Sequence, residues 1–300
     1  MLLRLERVNR NGLPEWSAYT YPHYRPRLLD RDPDLIGVAA YSASHPIGFA
    51  FASIRAADRR IADVCSVTVA APHRRRGVAT ALMRRLEDES RHAECCAIAG
   101  IHMSERPNTE AVEGLLRKLG WSEGRKRMLF CESDFSTITG APWMRRRELP
   151  DGFEPFLWAT LTPAERDWIH ETQRRSPWFP ELLTPFWMEE SVEPVSSLGL
   201  RVNGEIAGWC ISHRVNRDTI RYSRLFVRQE FQGLGRAIPL LARSIYCHEN
   251  TEVDKAIFDV AAHNTQMLRF VERRLKPYML RMSWSVQNSK MLDAAEAPAS

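Results

Sequence analysis

Val67-Thr-Val-Ala-Ala-Pro-His-Arg-Arg-Arg-Gly-Val-Ala-Thr-Ala-Leu-Met83 decides how the chain is read. Val67, Thr68 and Val69 are β-branched and favour extended backbone, and Pro72 ends the strand. From Gly77 onward the period changes, with Val78, Ala81, Leu82 and Leu86 on one helical face. The stretch predicts a strand, a short basic loop and a helix. The first backbone N–H groups of such a helix, here Val78, Ala79 and Thr80, lack partners within it, and the helix dipole favours an anion in front of them. Gly77 and Ala79 leave room for a pyrophosphate to approach. Arg74, Arg75 and Arg76 add fixed positive charge, and a guanidinium can grip phosphate through two hydrogen bonds. A basic loop before a helix is also a common solvated surface feature, so one copy leaves both readings open.

A second copy follows. Phe226-Val-Arg-Gln-Glu-Phe-Gln-Gly-Leu-Gly-Arg-Ala-Ile-Pro-Leu-Leu241 repeats the arrangement after the strand 220–227. Gln232, Gly233, Leu234, Gly235, Arg236 and Ala237 form its loop. Gly77 and Gly235 lie 158 residues apart, as do Val69 and Val227. Ile47-Gly-Phe49 matches Ala207-Gly-Trp209 at an offset of 160, and Asn108-Thr matches Asn264-Thr at 156. A period of this length marks a duplicated domain, not a short solenoid repeat.

Arg74-x-x-Gly77-x-Ala79 after a Val-x-Val strand resembles the acyl-CoA pyrophosphate loop of the GNAT superfamily of N-acyltransferases, and the resemblance covers most of the chain twice. It implies an α/β (α+β) fold of two GNAT-type domains, each a mixed, mostly antiparallel twisted sheet flanked by helices. The expected boundaries are residues 1–135 and 153–287, with a connector at 136–152 and a disordered tail at 288–300, which lacks a hydrophobic pattern. The implied cofactor is acetyl-CoA or another acyl-CoA. Backbone near Val67 and Val69, and near Leu225 and Val227, would bind the thioester and pantetheine. Asn108 and Asn264, in the closing helices, would stand near the cofactor.

For the chemistry, the resemblance implies a carboxylate base upstream on the central strand. Asp63 holds that place in the first copy, with an ordinary ion pair to Arg59 or Arg60 as the alternative. Arg221 holds it in the second and cannot act as a base; Tyr222 or Glu189 would have to serve. The family's frequent tyrosine acid is replaced by Leu116 and Val271, a departure in both copies. Pro239, early in the second cofactor helix, is a further one.

Residues 176–188 hold Trp178, Phe179, Phe186 and Trp187 among prolines. They read as an acceptor pocket with an apolar part or as a hydrophobic interface. The aromatic stretch at 10–34 reads as cover for the acceptor side or as a lid on the core. Thr162-Pro-Ala-Glu165 is a capping-box helix start, and Asn203-Gly204 a hairpin turn.

The chain has 300 residues, 44% hydrophobic and 26% charged, which suits two globular domains. No apolar run approaches membrane-spanning length, and the N-terminus is unlike a secretion signal. A cytoplasmic protein is the simplest reading. The six cysteines and the histidines lack metal-ligand spacing, so free thiols and no metal are expected. The net charge of +5 gathers at the loops and in short Arg clusters, which points to an anionic cofactor and not to nucleic acid or membrane. The expected activity is transfer of an acyl group, most simply acetyl, to a primary amine of a small molecule. The alternative is an acyl-CoA-binding, sensing or scaffold protein with one or both copies inactive. A homodimer is left open.

Overall fold

The computed structural model describes residues 3–56, 60–232 and 235–292. The chain divides into two compact units, Met1–Arg127 with Trp284–Ser300, and Met128–Ser283.

In unit 1, β1 (Leu3–Val8), β2 (Leu35–Ser42), β3 (His45–Ala56), β4 (Arg60–Val69) and β5 (Ala97–Met103) stand side by side in chain order. Neighbours run antiparallel except β4 and β5, which are parallel. A parallel pair needs a crossover, and α2 (Val78–His92) supplies it. The short α1 (Arg25–Leu29) precedes β2, and α3 (Thr109–Lys118) follows β5. β2 and β3 are apolar at successive positions because both faces of the sheet are covered. Val38, Ala40, Ala50 and Ala52 pack with Leu82 and Leu86 of α2. Ala39, Phe49 and Phe51 pack with Leu13, Trp16 and Leu28. The aromatic stretch at 10–34 thus supplies core side chains. Each fully buried leucine of α2 contributes about 2 kcal/mol.

In unit 2 the sheet order is β6 (Arg125–Asp134), β11 (Lys255–Ala261), β10 (Thr219–Val227), β9 (Glu205–Asn216), β8 (Leu198–Val202) and β7 (Phe153–Leu157). β10 and β11 are the parallel pair. Their connection carries the short α6 (Gln229–Gln232) and α7 (Ala237–Tyr246); α4 (Phe135–Thr139), α5 (Pro163–Arg175) and α8 (Thr265–Phe270) complete the helices. Asn203 and Gly204 turn the β8–β9 hairpin with φ of 51° and 87°, as an Asn-Gly turn does. Thr162 and Glu165 form the expected capping box on α5.

The last strand of each copy stands in the other unit's sheet. β6 follows the first copy's α3 yet pairs through residues 128–134 with β11. β12 (Arg281–Met291) follows the second copy's α8 yet pairs through residues 285–291 with β5. Side chains fix this placement. Lys290 Nζ donates to Glu87 Oε2 (2.6 Å) and to the Leu119 carbonyl (2.8 Å), while Trp121 Nε1 donates to Glu87 Oε1 (2.7 Å). Asn288 Nδ2 donates to the Ser122 carbonyl. A Cβ on Gly124 would lie 2.4 Å from Val286 Cγ1, so the strand seats against a glycine.

Two expectations change. Asn288–Met291, read as disordered tail, are strand because Asn288 and Lys290 find these partners; residues 293–300 of that expectation lie outside the described residues. The connector at 136–152 is largely folded. Asp134 Oδ1 accepts from Thr137 N at 2.7 Å and opens α4, and Ile138, Ala141, Trp143 and Met144 are buried.

Candidate functional site

Each unit has a place where the parallel pair opens. β4 and β5 pair from Ile61 with Ala97 to Val64 with Gly100. β10 and β11 pair only over Thr219–Arg221. Just beyond, the central strand bulges. The β3–β4 register shifts between Phe51 and Ala52, leaving Cys65 as the extra residue, and the β9–β10 register shifts between Tyr222 and Arg224, leaving Ser223. Cys65 and Ser223 are 158 residues apart, the same offset as the loops. A bulge re-aims side chains and ends regular pairing, so strand edges open beside it. Gly48 and Gly208 lie across from the central strands, where a Cβ would meet the Thr68 carbonyl at 2.9 Å and the Phe226 carbonyl at 2.5 Å.

The loops after the two central strands are built alike. Arg74 Nε donates to the Val69 carbonyl (2.9 Å), and Gln232 Nε2 to the Val227 carbonyl (2.8 Å). Residue 74 therefore ties its own loop together; Arg75 and Arg76 are exposed beside it. Gly77 and Gly235 take φ of 83° and 68°, in the left-handed region glycine favours, and a Cβ on either would meet nothing within 4 Å. Gly77 caps α2 with no side-chain bond, and the first intrahelical bond runs from Ala81 N to Gly77 O. The N–H groups of Val78, Ala79 and Thr80 are the ones an α-helix leaves unbonded, and the space beside Gly77 is open, which suits a diphosphate. In unit 2, Ala237 opens α7 after Arg236, and Pro239 subtracts one N–H. Gly233 and Leu234 lie outside the described residues.

The opened pair of unit 2 leads into a cavity of about 600 Å³. Arg221, Tyr222, Ser223, Arg224 and Leu225 line one side, and Asp259, His263 and Asn264 another. Trp187, Leu182, Leu183 and Met267 give it an apolar wall. Arg221 pairs with Asp259. Ser223 Oγ lies 2.8 Å from Nδ1 of the buried His213, whose Nε2 is 2.9 Å from the Trp187 carbonyl. A carbonyl only accepts, so Nε2 carries the hydrogen and Nδ1 accepts from the Ser223 hydroxyl. Burial holds the His213 pKa below its ordinary value, against the Trp187 hydrogen bond and with Arg224 and Arg221 nearby.

Burial also pushes the Tyr222 phenol well above its ordinary value, with Cys210 adding to the rise and a Ser244 hydrogen bond opposing it. A phenol so placed keeps its proton at neutral pH. A phenol so held, with its hydroxyl at Ser244, does not suit the proton removal expected of Tyr222. Glu189, the other expected base, pairs with Arg166 at 2.7 Å and is absent from the cavity lining. In unit 1, Asp63 pairs with Arg55 (3.0 Å) toward the start of β4 and not with Arg60; Arg59, the other expected partner, lies outside the described residues.

Of the expected acceptor residues, Trp187 lines the cavity. Phe179 is buried and Trp178 half-buried in an aromatic cluster with Trp158, Trp209 and Phe226, so both are core. Asn264 Oδ1 accepts from Met267 N (3.0 Å) and caps α8 at the cavity edge, whereas Asn108 makes no such bond. Leu225 lines the cavity, and Val227 is buried. Val67 and Val69 pack against the α2-side core of unit 1. Leu116 and Val271 are buried apolar residues. The sequence reading missed His213, Arg224 and Asp259. The duplication offset from Cys65 could have flagged Ser223; nothing local could have placed His213 behind it, because a cross-strand register shift does so.

Among the described residues no three His, Cys, Asp or Glu gather as metal ligands, no helix is long and apolar enough to cross a membrane, and all six cysteines are free thiols.

The sequence model of the acetyltransferase (GNAT) family matches residues 3–121 and 158–275. The chain belongs to this family, twice over, as a tandem GNAT protein. No curated protein matches it by sequence. Among solved structures it is similar to a tandem GNAT protein from the clavulanic acid biosynthesis pathway, at TM-score 0.58 and 16% identity over 100% of both chains. It is also similar to a GCN5-related N-acetyltransferase from Sphaerobacter thermophilus, at TM-score 0.55 and 16% identity over 97% of this chain and 96% of that one. A fungal glucosamine N-acetyltransferase region within a longer enzyme gives TM-score 0.62 and 14% identity, over 96% of this chain and 38% of that one. The family is one of acyl-CoA-dependent N-acyltransferases in general.

Proposed function

We propose that this chain transfers an acyl group, most simply acetyl, from acyl-coenzyme A to the primary amine of a small molecule in the cavity of unit 2. The observation that carries this reading is the Ser223–His213 hydrogen bond at the bulge of an opened parallel pair, facing a cavity of about 600 Å³. That volume suits a small ligand.

Gly235, Arg236 and Ala237 at the start of α7 would hold the diphosphate, with Leu225 and Asn264 along the route into the cavity. Acyl-coenzyme A supplies an activated thioester carbonyl, so the amine nitrogen bonds to carbon and the carbon–sulfur bond breaks. Ser223 accepts the amine proton as it passes its own to Nδ1 of His213, and the Trp187 carbonyl holds the ring in the tautomer that can receive it. The coenzyme leaves as the thiolate and takes its proton from solvent.

For unit 1 a second reading is favoured, binding of acyl-CoA without turnover. Its cradle at Gly77 is open, while its candidate base Asp63 is tied to Arg55. A small amine acceptor leaves nucleic acid and membrane without a role, and six free thiols suit the cytoplasm. Free-thiol release from acetyl-CoA with a panel of primary amines tests the proposal. Amine-dependent release that Ser223→Ala removes supports it. Binding of coenzyme A with no amine-dependent release would leave only the binding reading.

A further inference from the structure

The cavity of unit 2 is charged on one side. Its described lining contains two guanidiniums, Arg221 and Arg224, and a single carboxylate, Asp259. Asp259 is taken by Arg221. Arg224 has no acid. Its Nη1 donates to the Ser223 carbonyl at 2.8 Å, its guanidinium carbon sits 4.5 Å from the centre of the Trp187 ring, and its Nε meets no acceptor. A guanidinium carries five N–H donors; among the described residues one is seen to meet an acceptor. Burial presses its pKa below the ordinary value, partly offset by Asp259 and reinforced by Arg221. A half-desolvated cation without a counter-ion is costly to keep, and an incoming anion removes that cost.

Position narrows the anion. Ser223 and Arg224 both line this cavity at the bulge, so one small molecule inside it can offer an amine to the Ser223 hydroxyl and an anion to the Arg224 guanidinium. Leu182, Leu183, Phe258 and Met267 line the remaining wall. We infer that the acceptor is an amino acid with an apolar side chain, its carboxylate held by Arg224 beneath Trp187 and its amine presented to Ser223. The inference rests on acyl transfer occurring in this cavity.

The test uses the full chain, acetyl-CoA and matched acceptors that differ only in the carboxylate: L-phenylalanine against 2-phenylethylamine, and L-leucine against 3-methylbutylamine. The expected result is at least tenfold higher kcat/KM for each amino acid. Arg224→Met removes the difference, chiefly through the acceptor KM, and Arg224→Lys retains part of it. Equal rates for the paired acceptors in the unaltered protein overturn the inference. So does an Arg224→Met effect on the KM of acetyl-CoA instead, which would assign Arg224 to the coenzyme. A calorimetric arm needs no turnover. N-acetyl-L-phenylalanine should bind at least tenfold more tightly than N-(2-phenylethyl)acetamide, and Arg224→Met should abolish the gap. If no acceptor is acylated but this gap is found, the carboxylate site stands and the transferase reading falls. Equal binding of the two amides overturns the carboxylate site whatever the activity.

Discussion

The Ser223 hydroxyl lies 2.8 Å from Nδ1 of His213, and the far nitrogen of the same ring is spent on the Trp187 carbonyl. The ring therefore has one acceptor site, and it faces the cavity through Ser223. Replacing Ser223 by Ala should lower kcat for amine acylation about 100-fold, a usual range for loss of a proton acceptor, with coenzyme A affinity kept. Steady-state rates beside calorimetry check both halves of this expectation.

The depressed pKa of His213 gives a direction with pH. Its neutral form accepts the proton, so kcat/KM should rise with pH through a value below 6.5 and level off above it. Stability follows the same sense. The unfolded chain takes up protons on His213 and His248 as pH falls through 6.5, while the folded state resists. Unfolding free energy should therefore be full above 6.5 and decline below it until the folded values are passed. Urea melts at pH 7 and at lower pH measure this, and His213→Gln should flatten the slope.

Glu165 ties α5 to β8. Arg201 Nε donates to its Oε1 at 2.7 Å, and Thr162 donates to its Oε2 from both the backbone N and the hydroxyl. Arg201 is the main reason the carboxyl is held down to about 2, burial opposing. Because the folded value is depressed, the stabilisation is present above the ordinary 4.5 and fades as pH falls from there to about 2. Glu165→Gln should cost about 2 kcal/mol at pH 7 and flatten that acid limb, readable by denaturant melts.

Lys290, from the last strand of the second copy, neutralises Glu87 in the core of unit 1. Lys290→Met leaves a buried carboxylate with Trp121 as its remaining side-chain donor. That should destabilise the protein by about 3 kcal/mol, and the double variant Lys290→Met, Glu87→Gln should recover part of it. Thermal melts of the three proteins decide.

Much of this was legible in the residues. The two loops, their glycines and the helices behind them follow from spacing alone, because strand and helix periods and a φ > 0 requirement are local properties. The exchange of β6 and β12 was not legible: each strand has the same pattern whichever sheet receives it, and the choice is made by long-range contacts such as Lys290 with Glu87. The aromatic segment at 176–188 could be read as pocket or core, and its residues divide. Trp187 meets the cavity, while Phe179 and Trp178 pack against Trp209. His213 escaped notice because a one-residue bulge, invisible in sequence, sets it behind Ser223. Asp63 drew attention by its place on the strand, yet Arg55 occupies it.

The central claim is that acyl transfer runs through His213 in unit 2 and not through Asp63 in unit 1. The most direct test is kcat for amine-dependent thiol release from acetyl-CoA in His213→Gln and Asp63→Asn, measured side by side. The account predicts a loss of about 100-fold in the first and an unchanged rate in the second. A full rate in His213→Gln with a collapsed rate in Asp63→Asn would contradict it.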